Sequence, residues 1–430
     1  MISASHEPLL ARRPEVTAPT PHRNSRRLRV CMLAYAFYES DTRILQYASA
    51  LVERGDSVDV IALRRNDSAP EFERLNGVNV YRIQSRTVNE KGLFAYGSRI
   101  MRFLFRSMWF LHRQHSKLPY DAVHVHNVPD FLAFAALSPR LKGVPVILDI
   151  HDLLPEFYAS KFKIGHTSLL FKMLVFTERC SAAFASHVII ANHLWRDRLA
   201  ARSSRADKCS VVRNRPDLNI FTGQSRRCKP ANSPFLLMYP GSLNWHQGLD
   251  IAIRAFASIE NQMPDAEFHI YGEGSAKASL IELAAQLKQQ KRIFFHEFLP
   301  SKEIAQEMAM ADLAIEPKRT KSGFSNEALS TKIMEFMSLG VPVIACRTRI
   351  HAYYYDDSIV QYYENDDENE LAQQILHLWN NPGLRAQLVE NAKKYVAENT
   401  WNARKDEYLD LIDFLVSAKA RNTAIARVAL

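Results

Sequence analysis

Two glutamates, Glu327 and Glu335, stand with seven residues between them in a segment that reads as loop, helix, turn and strand. Ser330 or Thr331 can cap the predicted helix, whose free N–H groups and dipole favour a bound diphosphate. Glu327 then lies near a sugar attached to that diphosphate, and Glu335 lies within reach of ribose hydroxyls. An arbitrary pair of glutamates is more often two solvated helix residues, so the surrounding sequence has to decide.

Two further groups of residues follow predicted strands. Gly272 and Gly274 follow the strand Phe268–Tyr271, where the absence of a side chain lets backbone approach a ligand; a plain tight turn is the alternative. His151 and Asp152 follow the strand that ends at Ile150, where side chains enter a cleft. A core or capping role for this His-Asp pair is the alternative, and Asp152 can also orient the histidine.

His124 and His126 alternate along another predicted strand, so their side chains share a face, and Asn127 follows at the strand end. Two histidines without a third ligand favour a packed or cleft-lining pair over a metal site. We therefore predict no metal, and we assign His126 and Asn127 to acceptor contacts.

The elements that position these residues follow a strand–helix–strand order twice along the chain, which predicts two doubly wound α/β domains with parallel sheets. The two halves have similar build, and the active site is expected in the cleft between the facing sheets. The predicted divisions are a disordered basic arm at 1–27, an N-terminal domain at 28–215, a linker at 216–234, a C-terminal domain at 235–400 and a terminal helix at 401–430. The last helical stretches are expected to close the C-terminal domain, and the terminal helix can also pack back on the first domain.

Composition limits the classes of protein that fit. The 430 residues, 47% of them hydrophobic, suffice for two cores, and five cysteines without metal-ligand spacing favour a reducing cytoplasm. No apolar run is long enough to span a bilayer, so we expect a cytoplasmic protein, peripheral at the inner face of a membrane if it contacts one. A net charge of +9 favours an anionic partner, but no nucleic-acid-binding motif accompanies the basic arm.

The segment from Ser322 to Ala345 resembles glycosyltransferase family 4, whose signature is this spaced glutamate pair ahead of a Gly-x-Pro-Val-Ile-Ala strand. The resemblance extends over roughly residues 28 to 400 and includes Tyr271-Gly-Glu-Gly274 and Ala311-Asp-Leu-Ala-Ile-Glu-Pro317. It implies the GT-B fold, with two Rossmann-like domains facing across a cleft. It also implies an acceptor domain first and a nucleotide-sugar domain second, with His151 and Glu327 at the transferring centre and no cofactor.

One loop departs from the family pattern, which places an arginine and a lysine at the start of the second domain. Here the loop is Gly241-Ser-Leu-Asn-Trp-His-Gln-Gly248, with Ser242 and Gln247 at the expected basic positions. The charge that balances a leaving diphosphate is then expected from His246, Lys318, Arg319 or Lys332 and from backbone amides. The predicted donor-binding residues are Gly241, Asn244, His246, Gly272, Gly274, Lys318, Ser330, Thr331, Lys332 and Glu335, and Asp152 joins His126 and Asn127 as acceptor-binding.

The resemblance implies transfer of a sugar from a nucleoside diphosphate to a hydroxyl acceptor, a lipid-linked or growing glycan, with retention of configuration. Three alternatives stay open: a scaffold or sugar-nucleotide-binding subunit without transferase activity, which Ser242 and Gln247 make conceivable, a sugar-nucleotide epimerase, and a phosphorylase of the same architecture. Length and the absence of an evident pyridoxal lysine motif count against the phosphorylase.

The segment from Arg99 to His115 places four arginines at helical spacing, with apolar residues largely on other faces. Such a basic, aromatic helix suits an anionic membrane surface. A helix that packs its apolar side on the sheet and solvates its arginines explains the pattern as well.

Overall fold

The computed structural model describes residues 26–66, 68–86, 93–162, 164–223, 229, 233–364 and 366–428. These residues form two α/β domains, each built on a sheet that is buried between helices. The predicted fold class is confirmed. Most of the basic arm at 1–27 lies outside the described residues.

The N-terminal domain contains an eight-stranded sheet of order β3-β4-β2-β1-β5-β6-β7-β8, parallel except for the antiparallel β3–β4 pair. Its strands are β1 (Arg29–Ala34), β2 (Ser57–Arg64), β3 (Phe72–Leu75), β4 (Val78–Ser85), β5 (Ala122–His126), β6 (Val146–Ile150), β7 (His187–Ile190) and β8 (Cys209–Val211). Its helices are α1 (Thr42–Arg54), α2 (Leu93–Lys117), α3 (Leu137–Leu141), α4 (Leu154–Phe162), α5 (Leu169–Phe184) and α6 (His193–Arg202), with a 3-10 helix at Asp130–Ala136.

The C-terminal domain contains a six-stranded parallel sheet of order β11-β10-β9-β12-β13-β14. Its strands are β9 (Phe235–Pro240), β10 (Ala266–Tyr271), β11 (Ile293–His296), β12 (Leu313–Glu316), β13 (Val343–Cys346) and β14 (Gln361–Tyr363). The helices that follow β9 are α7 (Leu249–Ser258), α8 (Lys277–Gln286), α9 (Ser301–Met310), α10 (Thr331–Leu339), α11 (Arg349–Tyr354), α12 (Glu368–Asn380), α13 (Pro382–Asn399) and α14 (Trp401–Val428).

The connection between the two sheets packs apolar side chains on the C-terminal domain. Leu218 and Ile220 pack against the C-terminal core, and Phe221 is buried within it. Residues 224–228 and 230–232 of the predicted linker lie outside the described residues. The described part of the linker is therefore anchored to the second domain.

The last helix, α14, packs on the N-terminal domain, although it follows the C-terminal one in sequence. Tyr408, Leu409, Ile412 and Leu415 belong to the same buried cluster as the inner residues of α1. The Tyr408 hydroxyl also lies 3.0 Å from Nδ1 of the buried His124. The first domain is thus assembled from both ends of the chain.

Helix α2 packs its apolar side on the sheet and exposes arginines to solvent, and contact of this helix with a membrane stays a prediction. Ile100, Phe103 and Leu111 are buried against the sheet, while Arg102 and Arg113 are exposed. Within the described residues no helix has both the length and the apolarity that crossing a bilayer requires.

Candidate active site

Helix α10 begins at Thr331 and directs its N-terminus toward the carboxyl edge of the second sheet. Ser330 occupies the N-cap position, but its side chain makes no capping hydrogen bond, so the prediction of a Ser330 cap is wrong. Its hydroxyl is buried and finds no partner among the described residues. A buried hydroxyl without a partner beside unpaired helix N–H groups favours an anionic ligand there.

Lys332, in the first turn of α10, is held beneath the loop that follows β9. Its ammonium lies 2.9 Å from Glu316 Oε2 and 4.0 Å from the centre of the Tyr239 ring. A Cβ on Gly241 would come within 3.2 Å of the same nitrogen. Burial would lower the pKa of Lys332, but the carboxylate of Glu316 and the Tyr239 side chain raise it, so a fixed cation lies at this loop.

Lys318 supplies a second cation at the end of β12. It is 5% exposed and donates a 2.5 Å hydrogen bond to the carbonyl of Ala328. Burial lowers the pKa of Lys318 to about 8, against the opposing effect of Glu316. Its charge also acts across the cleft, where it counteracts the burial that raises the pKa of Asp152.

Glu327 lies three residues before the N-cap and at the contact between the domains, with 4% of its surface exposed. Arg198 of α6 donates to both carboxylate oxygens, at 2.7 and 2.8 Å, and Arg349 donates to Oε1 at 2.9 Å. The backbone carbonyl of Glu327 accepts a hydrogen bond from Asn192. The glutamate is therefore fixed by both domains rather than solvated.

Glu335 is half-buried on α10, one turn after Thr331. Burial raises the pKa of its carboxyl to about 7, although a hydrogen bond with Thr331 and the charge of Lys332 oppose the rise. Neither member of the glutamate pair points into bulk solvent.

Two loops of the C-terminal domain pack backbone against backbone beside α10. A Cβ on Gly272 would lie 1.9 Å from the carbonyl oxygen of Gly241, and one on Gly274 would lie 2.3 Å from that of Leu243. Contact between the loops thus requires glycine at both positions, and the predicted approach of a ligand to Gly272 and Gly274 stays a prediction. Asn244 reinforces the contact, since its side-chain oxygen accepts from the Ser275 hydroxyl at 3.0 Å.

We expect Gly272→Ala to destabilise the C-terminal domain by about 1–3 kcal/mol, because Gly272 has a φ of +136° and no space for a Cβ. Thermal unfolding measures the loss. Gly383→Ala is the matched control, since a Cβ there meets nothing within 4 Å and alanine favours the helix α13. Equal melting temperatures for Gly272→Ala and the wild type would contradict the packing argument.

The loop that lacks the expected arginine and lysine closes on itself. Gln247 Nε2 donates to Ser242 Oγ at 3.1 Å, so the two substituted positions bond to each other. Burial lowers the pKa of His246 to about 4, which leaves it neutral near pH 7. Arg319 is paired with Asp250 at 2.5 Å and lies over the ring of Trp245. His246 and Arg319 are therefore poor sources of uncompensated positive charge, whereas Lys318 and Lys332 share the single carboxylate of Glu316 and together keep a net positive charge.

Across the cleft, His151 sits at the end of β6 above a buried carboxylate. Its Nε2 lies 3.3 Å from both Asp149 Oδ2 and His126 Nδ1. Arg43 of α1 donates to both oxygens of Asp149 at 2.7 Å. Burial would raise the pKa of Asp149, but Arg43 and His151 hold it well below its usual range, so a buried negative charge supports His151.

Asn127 fixes the backbone around His151. Its Oδ1 accepts from the His151 N–H at 2.8 Å, and its Nδ2 donates to Asp130 Oδ1 at 2.8 Å and to the carbonyl of Asp152 at 3.0 Å. Asn127 is only 6% exposed. Its visible role is to position His151 and Asp152, and its predicted acceptor contact stays a prediction.

His124, His126 and Asp149 bring their ligand atoms within 4.8 Å of one another, so the structure supplies the third metal-ligating group that the sequence did not reveal. Their surroundings disfavour a cation, because Arg43 already occupies both oxygens of Asp149. Burial lowers the pKa of both histidines, which keeps them neutral beside that ion pair. The donor set is explained better as support for His151 than as a metal site.

The two domains meet through a short loop at 320–328. The Phe324 ring contacts Phe157 and Trp195 of the N-terminal domain, with centroids 5.4 and 5.7 Å apart, and Ser322 Oγ lies 3.3 Å from Ser160 Oγ. The N-terminus of α10, Glu327 and Lys318 therefore face the His151 side of the cleft. Such a cleft can hold an anion on one wall and present a hydroxyl from the other.

Comparison with known proteins agrees with this geometry. A sequence model of the family described as "Glycosyl transferases group 1" matches residues 224–395, and one described as "Glycosyl transferase 4-like domain" matches residues 40–215. The two matched segments adjoin and together span most of the chain.

Three relatives of low sequence identity each cover 80% or more of this chain. Alpha-monoglucosyldiacylglycerol synthase from Acholeplasma laidlawii is 22% identical over 80% of this chain and 87% of its own. Sucrose-phosphate synthase from Thermosynechococcus elongatus superposes with a TM-score of 0.69 at 17% identity, over 93% of this chain and 100% of its own. HepE from Anabaena, solved in complex with UDP-glucose, superposes with a TM-score of 0.64 at 17% identity, over 92% of this chain and 100% of its own. With two sheets facing across a cleft and both family models matched in order, the chain belongs to the group 1 glycosyltransferases of family 4 type and has the GT-B fold.

Proposed function

We propose that this glycosyltransferase transfers a sugar from a nucleoside diphosphate to a hydroxyl of a glycan or lipid-linked acceptor, with retention of configuration. The observation that carries the proposal is the anion-binding corner formed by Lys318, Lys332 and the N-terminus of α10, with Glu327 and Glu335 on either side. The complex of HepE with UDP-glucose supports a nucleotide-sugar donor. The name of the Acholeplasma laidlawii synthase supports a lipid-linked acceptor.

In this proposal the diphosphate binds at the start of α10, and Glu335 accepts hydrogen bonds from the ribose. Lys318 and Lys332 stabilise the charge that develops as the diphosphate leaves, which replaces the cations absent at Ser242 and Gln247. Glu327 Oε2 accepts one hydrogen bond from Arg198, and a carboxylate oxygen has capacity for a second, which a sugar hydroxyl fills.

His151, positioned by Asn127 and Asp149, faces the transferring centre, and Asp152 contacts the acceptor. His126 is 1% exposed and lies 3.3 Å from His151 Nε2, so it supports His151 instead of making the predicted acceptor contact. The acceptor hydroxyl attacks the face from which the diphosphate departs, and a diphosphate oxygen takes its proton. Configuration is thereby retained without a covalent enzyme intermediate.

A donor screen tests the proposal. The purified protein is incubated with a panel of sugar nucleotides and hydroxyl acceptors, and products are identified by mass spectrometry, with the anomer of the first product assigned by NMR. We expect one donor to be consumed and its anomeric configuration kept. Binding of a sugar nucleotide without turnover on any acceptor would favour the scaffold alternative, and an epimerised nucleotide sugar would favour the epimerase.

Donor affinity is expected to be highest between about pH 7 and 8. Below about 7 the Glu335 carboxyl is protonated and accepts ribose hydrogen bonds less well; above about 8 Lys318 loses the charge that attracts the diphosphate. The diphosphate of a sugar nucleotide does not titrate in this range. The loss of affinity on the acid side and on the alkaline side of the pH profile therefore arises from groups of the protein. Calorimetric titration across pH measures the profile.

Two variants assign the limbs of that profile. Glu335→Gln should flatten the acid limb, and Lys318→Arg should flatten the alkaline limb because arginine keeps its charge. A wild-type affinity that is constant across this range, or a profile that neither variant alters, would contradict the assignment.

A further inference from the structure

Helices α2, α3 and α5 form one continuous outer layer on a single face of the N-terminal domain, termed here the three-helix face. The 3-10 helix at Asp130–Ala136 packs between α2 and α5, and the rings of Phe134 and Phe184 lie 5.1 Å apart. His112 Nδ1 of α2 lies 2.9 Å from Ser138 Oγ of α3, and Arg140 of α3 donates to the carbonyl of Phe184 on α5. The three helices are therefore fixed side by side.

Large apolar side chains point outward from every one of these helices. Phe105 and Trp109 of α2 are each 61% exposed, and Phe176 of α5 is 68% exposed. The other outward members are Met101, Leu137, Leu141, Leu169, Leu170 and Met173. On α5 the exposed Leu169, Met173 and Phe176 share one side of the helix by their spacing. Single exposed apolar residues are ordinary, but a contiguous set marks an interaction surface.

The charge of the three-helix face has a single sign. The helices contain eight lysines and arginines: Arg99, Arg102, Arg106, Arg113, Lys117, Arg140, Lys172 and Arg179. Their one carboxylate, Glu178, is 1% exposed and is bound by Arg202. The whole chain, by contrast, has 55 basic and 46 acidic residues, so the excess of positive charge is concentrated here.

We propose that the three-helix face docks the protein on an anionic lipid bilayer, with its apolar side chains in the headgroup region and its cations at lipid phosphates. A second copy of the chain is disfavoured as the occupant, because two such faces would oppose like charge to like charge. A nucleic acid would satisfy the cations but leave the apolar side chains without a partner. Of these three occupants, an anionic lipid surface alone offers both anionic and apolar components.

The bilayer contact would also bring the cleft to the membrane. Helix α4, which precedes α5, touches the loop of the C-terminal domain through Phe157 and Phe324 and through Ser160 and Ser322. Phe162, at the end of α4, is 50% exposed. An acceptor hydroxyl carried by a membrane lipid would then lie beside His151, a consequence that rests on the proposed function, whereas the docking itself does not.

Flotation with vesicles tests the docking. We expect the full chain to float with vesicles of phosphatidylcholine mixed with phosphatidylglycerol and to stay behind with phosphatidylcholine alone. Met173→Ser/Phe176→Ser and, separately, Arg102→Glu/Lys172→Glu should each weaken binding to the anionic vesicles roughly tenfold or more. The matched controls are Ile281→Ser and Lys393→Glu, which change exposed residues of the C-terminal domain and should bind like the wild type.

Three results would overturn the docking proposal: equal flotation on both kinds of vesicle, no loss of binding in either double variant, or a lipid-free dimer that Met173→Ser/Phe176→Ser dissociates. Turnover of the sugar nucleotide with a water-soluble acceptor is measured in parallel and should be the same in all these variants. Anionic flotation without any turnover would refute the proposed function and leave the docking supported.

Discussion

Glu327→Gln should lower kcat for sugar transfer on the order of 100- to 1,000-fold, because it removes the carboxylate proposed to bind the donor sugar as charge develops. The fold should persist, since the two partners that lose an ion pair, Arg198 and Arg349, have side chains that are 34% and 64% exposed and can be solvated. Initial rates with the donor found by screening, together with thermal unfolding, measure both effects.

A purely structural role for Glu327 makes a different prediction. Arg198→Met removes the interdomain ion pair and keeps the carboxylate, so it should retain far more activity than Glu327→Gln if the carboxylate binds sugar. Glu390→Gln, a change at an exposed ion pair of α13, controls for charge alone. Equal losses in the Arg198 and Glu327 variants would mean that the contact between domains, not the carboxylate, matters.

Arg43→Met should destabilise the N-terminal domain by about 3–5 kcal/mol, because it leaves the carboxylate of Asp149 buried without its bidentate partner. The side chains of Arg43 and Asp149 are 6% and 0% exposed, so water cannot replace the lost bonds. Urea unfolding measures the loss, with the transition of the C-terminal domain as the internal reference.

The double variant Arg43→Met/Asp149→Asn distinguishes an orphaned charge from simple loss of packing. It removes both charges and should recover a large part of the stability lost in Arg43→Met. If the double variant is no more stable than the single one, the buried carboxylate is not the cause. Activity should be low in the double variant, because His151 loses the charge 3.3 Å from its Nε2.

Much of the fold could be predicted because the parallel strands are continuous apolar runs. Apolar and buried-strand patterns predict strands at Arg29–Ala34, Ala122–His126 and His187–Ile190 and a helix from about Thr42 to Arg54, and β1, β5, β7 and α1 have these bounds. The helix ends at Gly55, which adopts a φ of +101°. The hairpin β3–β4 was not predicted, although Asn76-Gly77 is a strong hairpin signal and both residues have positive φ. Strand β14 has only three residues, too few for a periodic pattern.

The candidate site was predicted only in part, since ion pairs between distant segments leave no local pattern. Glu316 belongs to the motif Ala311–Pro317 and lies at the end of a buried strand. Its position there could have identified it as the partner of Lys332. Arg198 lies 129 residues from Glu327, and Arg43 lies 106 from Asp149, so only the folded chain reveals those pairs. The roles of the predicted donor and acceptor residues stay predictions.

The return of α14 to the first domain changes how the two halves can move. Two chain segments cross between the domains, one between β8 and β9 and one at the junction of α13 and α14. Arg213 on the first crossing is hydrogen-bonded to Tyr395 Oη on α13 and to Asn399 beside the second. An opening of the cleft would bend both crossings together, which favours rotation of the domains about the line that joins the two crossings over a free separation.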